Sequence, residues 1–186
     1  MMTWMTRMSF FDSAEDLAMP QLAQTFRESE ALFNEMVFGI TDEDSDQPVG
    51  PAPKPLIGMW LGYETALAAY AVSCAAILVG HSITMGTRAL AIGNTIKELR
   101  GNGDPAPFEM PPWVQDVDVL MSHRSNLMRR WPEAYSFPRN PKDMPYLWPI
   151  VDGEGGYVLK LSKYDQELLA KGERSLPKSV MERITT

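Results

Sequence analysis

"LIGMWLGYETALAAYAVSCAAILV", residues 56–79, carries a single charge, Glu64. The run is long enough to cross a bilayer. Glu64, two glycines and six alanines make a weak lipid-facing surface, however, and no positive flank supports insertion. A helix apolar on nearly all sides belongs at the centre of a packed protein. The stretch therefore predicts one central helix, with the rest of the chain arranged around it and no membrane span.

Working outward, the pattern stays helical. Asp12 or Ser13 is placed to cap a brief helix ending near Pro20. From Pro20, a favoured first helical residue, the spacing of Leu22, Phe26, Ser29, Phe33 and Val37 predicts an amphipathic helix to about Gly39. Residues 41–55, "TDEDSDQPVGPAPKP", are acidic and proline-rich without apolar periodicity, and read as a mobile loop. Further helices are expected at 84–100, closed by "GNG", and at 115–131, with a loop over 104–113 between them. Residues 132–150 read as an irregular Pro/aromatic segment. A short extended piece (157–161) and a helix near 163–171 follow. Without repeats or a βαβ alternation, the prediction is all-α: a compact helical bundle over 1–150, with 151–186 as a C-terminal extension packed on it.

With 186 residues the chain can bury a proper core. Its thirteen methionines suit irregular packing gaps. One cysteine, Cys74, excludes an intrachain disulfide and multi-cysteine zinc motifs, and suits a reducing compartment. His81 and His123 are the only histidines, too few for a histidine-rich metal site. Glu28, Glu64 and His123 have no spacing that supports a metal, and none is expected.

The net charge of −7 argues against wholesale nucleic-acid binding, but its distribution matters more. Arg124, Arg129, Arg130, Arg139 and Lys142 face only Glu133 within 121–142, a local net charge of +4. The remainder of the chain is at −11. Positive charge is gathered into "MSHRSNLMRRWPEAYSFPRNPKDMPYLWP" (121–149), together with five prolines and a Ser–Asn pair.

Helical spacing makes two charges unusual. Arg124 falls within the apolar stripe Val117, Leu120, Met121, Leu127, Met128, Trp131, and Glu64 shares a face with Trp60, Leu61 and Ala68. An unpaired buried charge is costly, so the simplest arrangement pairs Glu64 with Arg124. That pair fixes helix register or lines a polar pocket; the pattern does not choose. Glu28 lies well away from the stripe of its own helix and reads as a solvated or rim residue. His123 lies on the flank of its stripe, as a surface or capping histidine. Asn126 and Arg129 project elsewhere, suited to phosphate or to solvent. Ser125 with His123 is no catalytic pair, because residues two apart on a helix point in different directions.

"PLIGMWLGYETALAAY", "HRSNLMRRWPEAY" and "MPYLWP" resemble a family of small bacterial and phage proteins with M-W-x-G-Y/H-E, H-R-S-N-L-x-R and L/M-P-Y-x-W-P motifs. That family is grouped with the pyrimidine-dimer DNA glycosylase/AP lyases of the endonuclease V type. The likeness spans roughly residues 1–149. Met1, Thr3, Trp4, Phe10, Ser13, Ala14, Leu17, Leu22 and Glu28 fall where the family has M-x-T-F, a later Phe, S-A, L and R-L-G-K-Q-R-x-E. The basic part of that last run is "QLAQTF" here (21–26), followed by Arg27.

The resemblance implies a DNA base-excision enzyme without a cofactor, working in the cytoplasm of a bacterial or phage-infected cell. An N-terminal amine attacks C1′ of a deoxynucleoside, expels the base and leaves a Schiff base, and a glutamate stabilises the sugar cation. By motif the glutamate is Glu28. The amine is that of Met1, or of Thr6 if synthesis starts at Met5. DNA, with a flipped, damaged or modified base, would meet Arg27, Trp60, Tyr63, Glu64, His123, Arg124, Ser125, Asn126, Arg129, Tyr146 and Trp148. Two other readings share the scaffold: a transferase acting on modified bases in phage-type DNA, and a non-catalytic DNA-binding relative.

Overall fold

The computed structural model describes residues 3–39, 54–99 and 109–184. Met1 and nearly all of the acidic 41–55 loop lie outside the described residues. Helices α1 (Phe10–Glu15), α2 (Met19–Phe38), α3 (Lys54–Trp60), α4 (Glu64–Leu78) and α5 (Ile83–Leu99) are followed by a 3-10 turn at Pro112–Gln115 and by α6 (Val117–Arg130). Strands β1 (Trp148–Val151) and β2 (Tyr157–Lys160) and helices α7 (Lys163–Ala170) and α8 (Lys178–Met181) complete the order. The fold is mainly helical, and α4 packs against α1, α2 and α5.

Local chemistry accounts for most boundaries. Ser9, not Asp12 or Ser13, caps α1 by accepting the Asp12 N–H at 3.3 Å. Helix α2 has Pro20 in its first turn and ends at Gly39, whose φ of 65° gives a left-handed cap. Asp116 caps α6 through the Asp118 N–H at 2.9 Å. Ser162 caps α7 through the Asp165 N–H at 3.0 Å.

The expected single helix over 56–79 is instead two. Helix α3 starts at Lys54, inside the stretch expected to be loop, and stops at Trp60; the chain turns by 99° before α4 begins. Gly62 has φ +81°, which side-chain-bearing residues adopt at a cost. The carbonyl of Met59, freed near the break, accepts Trp113 Nε1–H at 2.7 Å. Among the described residues no single helix is long and apolar enough to cross a membrane; only the bent α3–α4 pair together has the length and composition.

The helical expectation holds for most of the chain, and a small sheet is added to it. Strand β1, read as part of an irregular segment, pairs antiparallel with β2, Trp148 opposite Lys160 and Val151 opposite Tyr157. Helix α3 packs on β1 closely enough that a Cβ on Gly58 would stand 3.1 Å from Ile150 Cγ2. Beyond residue 150 the chain contributes Leu159, Leu161 and Val180 to the core.

Candidate functional site

The first described residues run through the middle of the molecule. Thr3 to Thr6 are buried, and four of their main-chain groups meet side chains from other elements. The Thr3 carbonyl accepts the Tyr146 hydroxyl at 2.9 Å, while Thr3 Oγ1 accepts Trp60 Nε1–H at 3.2 Å. Tyr70 donates its hydroxyl to the Trp4 carbonyl. Met5 N–H donates to His123 Nδ1 at 3.0 Å. Thr6 donates its N–H to Ser13 Oγ at 3.2 Å and its hydroxyl to Asp16 at 2.8 Å. The Thr6 nitrogen, the alternative amine, is thus a buried hydrogen-bond donor in this chain.

His123 is corrected from a surface or capping residue to a fully buried one. Its ring stacks on Tyr146, centroids 4.3 Å apart and planes 11° apart, with Trp4 edge-on at 6.4 Å. Burial pushes the imidazole down to about 3. An Nδ1 that accepts a main-chain N–H is in any case unprotonated, so the ring is neutral at pH 7.

Glu28 is also corrected: at 6% exposure it is neither solvated nor on a rim. Helix α2 is covered on a wider front than one stripe. Gln21, Leu22, Thr25, Phe26, Glu28, Ser29, Leu32 and Phe33 are all buried. Gln24 Nε2 donates to Glu28 Oε1 at 2.8 Å, a bond between residues four apart on one helix. Tyr146 feels this carboxylate. Burial raises the phenol well above its ordinary range, the Glu28 charge raises it further, and Arg130 opposes. Tyr146 is therefore hydrogen-bonded to the Thr3 carbonyl and within electrostatic range of Glu28 and of Arg130 at the basic end of α6.

That basic end opens into a pocket of about 230 Å³. Asn126, Arg129 and Arg130 line it from α6, with Tyr146 and Trp148 beside them. Ser162, Tyr164, Asp165 and Arg174 close it from the C-terminal segment. Arg129 is a wall, since its guanidinium donates to the Met144 carbonyl at 2.8 Å and to Asn126 Oδ1. Burial lowers its pKa and the nearby Arg174 lowers it further, though a guanidinium stays charged. Arg130 is exposed, with its guanidinium carbon 5.7 Å from the centre of the Trp4 ring. The three arginines share one carboxylate in the lining, Asp165, 4.0 Å from Arg174 Nε.

Of the sequence-predicted residues, Asn126, Arg129, Tyr146 and Trp148 meet in this pocket, and Tyr146 joins Glu28 and His123 to it. Others lie elsewhere. Arg27 is exposed on α2. Trp60 is wholly buried and Tyr63 sits at the α3–α4 break. The expected Glu64–Arg124 pair does not form. Glu64 heads α4, where a carboxylate suits the positive helix end, and accepts the Gly62 N–H at 3.0 Å. Arg124 lies over the Phe137 ring at 5.7 Å; burial lowers its pKa while Asp16 raises it.

Ser125 is buried, and its hydroxyl has no hydrogen-bond partner among the described residues; Thr25 and Ser29 on α2 are alike. Most buried hydroxyls have a partner, so these three stand out. Sequence reasoning passed over Tyr164, Asp165 and Arg174, which lie outside any motif. Arg130 was visible as part of the basic cluster. The buried polar line Gln21, Thr25, Glu28 follows helical spacing and was the signal available for Glu28. Comparison of the chain with protein-family models, with curated proteins and with solved structures returned no match.

Proposed function

We propose that the protein is a DNA base-excision enzyme of the glycosylase/AP lyase kind, using an N-terminal amine and Glu28. The observation that carries this reading is the convergence at Tyr146. Its hydroxyl holds the Thr3 carbonyl, two residues from Met1, its ring feels the Glu28 carboxylate, and it lines the arginine pocket. A nucleophilic amine, a buried carboxylate and a cationic cleft are the three parts that such chemistry needs.

In this scheme the neutral amine forms a bond to C1′ of the sugar. The bond from C1′ to the base breaks, and the base leaves with the electron pair and takes up a proton. Loss of a proton from nitrogen and ring opening give the imine. Removal of a C2′ proton expels the 3′-phosphate, and water then releases the enzyme. An α-amine of ordinary pKa, ~7.7–8.0, is partly neutral near pH 7 and needs no extreme tuning. Glu28 stabilises the cationic sugar, and the arginines hold the flanking phosphate. A nucleotide must leave the duplex stack to reach such a cleft.

Borohydride trapping on an oligonucleotide with one abasic site tests the reading. The intact protein is expected to form a covalent adduct that blocking the amine abolishes. Glu28→Gln should slow base release by about 100-fold or more. A folded protein that yields no adduct removes the amine mechanism and favours modified-base chemistry or binding without catalysis.

A further inference from the structure

The arginine pocket is half built by the segment after residue 150, which the family resemblance does not reach. Ser162, Tyr164 and Asp165 enter from the start of α7, and Arg174 from the turn after it. The anchoring of this segment is independent of the pocket. Strand β2 is paired to β1, and Arg183 is tied to Asp116 and Asp118 on the capping turn of α6. The pocket wall is therefore held in place whether or not anything occupies it.

The charge inside is not balanced. Arg129, Arg130 and Arg174 face Asp165 alone in the lining, and Asp165 is engaged further by the Ser162 hydroxyl at 2.8 Å. Arg129 is consumed by carbonyl and amide oxygens. Arg130 points its charge at an aromatic face. Arg174 spends Nη1 on the Glu173 carbonyl and holds its buried Nε 4.0 Å from Asp165, which leaves Nη2 without a hydrogen bond among the described residues. Two guanidinium groups thus retain donors for an oxyanion, and planar bidentate donation favours phosphate. At about 230 Å³ the space is below the ~300–1,000 Å³ of sites that enclose drug-sized ligands. It suits a phosphate with a sugar, leaving a base at the mouth. There Tyr164, 65% exposed, presents an aromatic ring that stacks on no other ring among the described residues.

We infer that residues 157–174 convert the cleft into a site for one nucleotide unit, its phosphate on Arg130 and Arg174 and its base stacked on Tyr164. This names the substrate unit of the site proposed above and rests on that reading for its place in the reaction. The unit is either a free nucleoside monophosphate or the terminal nucleotide of a single strand.

Calorimetric titration of the full chain carrying Glu28→Gln, in which turnover is suppressed, tests binding apart from chemistry. Thymidine 5′-monophosphate is expected to bind at least tenfold more tightly than thymidine or inorganic phosphate. Arg174→Gln and Tyr164→Ala should each weaken it about tenfold without lowering the melting temperature. A tighter 5′-phosphorylated oligonucleotide identifies the strand terminus as the ligand, and a tighter mononucleotide identifies the free form. Failure of the monophosphate and of the phosphorylated oligonucleotide to bind at millimolar concentration overturns the inference, as does binding indifferent to both substitutions. Abasic trapping without nucleotide binding would leave the base-excision reading standing and remove the nucleotide pocket. Binding that maps to Arg174 and Tyr164 without any trapping would do the reverse.

Discussion

Two arginine clusters join α6 to the C-terminal segment and differ in what answers their charge. Arg183 donates to Asp116 and to the Tyr157 hydroxyl, with Asp118 3.6 Å away, and its guanidinium carbon lies 5.7 Å from the Tyr157 ring centre. Tyr157 in turn donates to Asp116. In that cluster carboxylate matches or exceeds cation, and every partner is engaged. Around Arg129, Arg130 and Arg174 the lining offers one carboxylate to three cations. The first arrangement fastens β2 and α8 to α6; in the second, Asp165 and the nearby Asp143 offset only part of the cationic charge. Saturation separates charge used for structure from charge available for binding.

The buried run Thr3–Thr6 is likewise tied to side chains of other elements, and acid should break it first. The folded His123 titrates at about 3, far below the ~6.5 of an exposed histidine, so the unfolded chain binds the proton more readily. Stability is then complete above pH 6.5 and falls as pH drops from about 6.5 towards 3, by up to about 1.4 kcal/mol per pH unit. Urea titrations across that range measure the slope, and His123→Gln should flatten it while lowering stability at neutral pH.

The Asp116 cluster is the next largest effect. Although burial pushes the Asp116 carboxyl up, hydrogen bonds from Arg183 and Tyr157 hold it below its ordinary value. Its contribution is present above the unfolded carboxylate range, near pH 4, and disappears as pH falls through the lower folded value. Asp116→Asn should therefore cost about 2 kcal/mol at pH 7 and almost nothing once the carboxyl is protonated, as denaturant midpoints at the two pH values would reveal.

The smallest effect on stability belongs to the pocket. Arg174→Gln and Tyr164→Ala should each change unfolding free energy by no more than about 0.5 kcal/mol, because neither side chain completes a saturated network. A loss above about 2 kcal/mol from either would place the pocket with the structural cluster and erase the distinction.

Much of the scaffold was readable. The helices expected at 20–39, 84–100, 115–131 and 163–171 appear as Met19–Phe38, Ile83–Leu99, Val117–Arg130 and Lys163–Ala170. Those segments have one buried face or strong caps, so periodicity applies. It failed at 56–79, where apolar residues on all sides carry no phase information and Gly62 breaks the rod. It failed again at Glu28 and His123, because a stripe argument assumes one packed face. Helix α2 is buried on a wide front, and α6 receives the chain's own N-terminal segment against the flank that holds His123. The Glu64–Arg124 pairing was a sound inference from cost, with the wrong partners.

By itself the sequence determined that this is a mainly helical chain with a buried central segment, and that its positive charge is concentrated in 121–142. Those properties follow from local spacing and composition. Only the tertiary structure decided which charges are neutralised. Asp116 and Arg183 lie 67 residues apart in the chain, and Arg129 meets Arg174 only because β2 and α7 fold back over α6. Coulomb interaction and hydrogen bonding depend on separations of a few ångström, which residue order does not encode until the chain has packed.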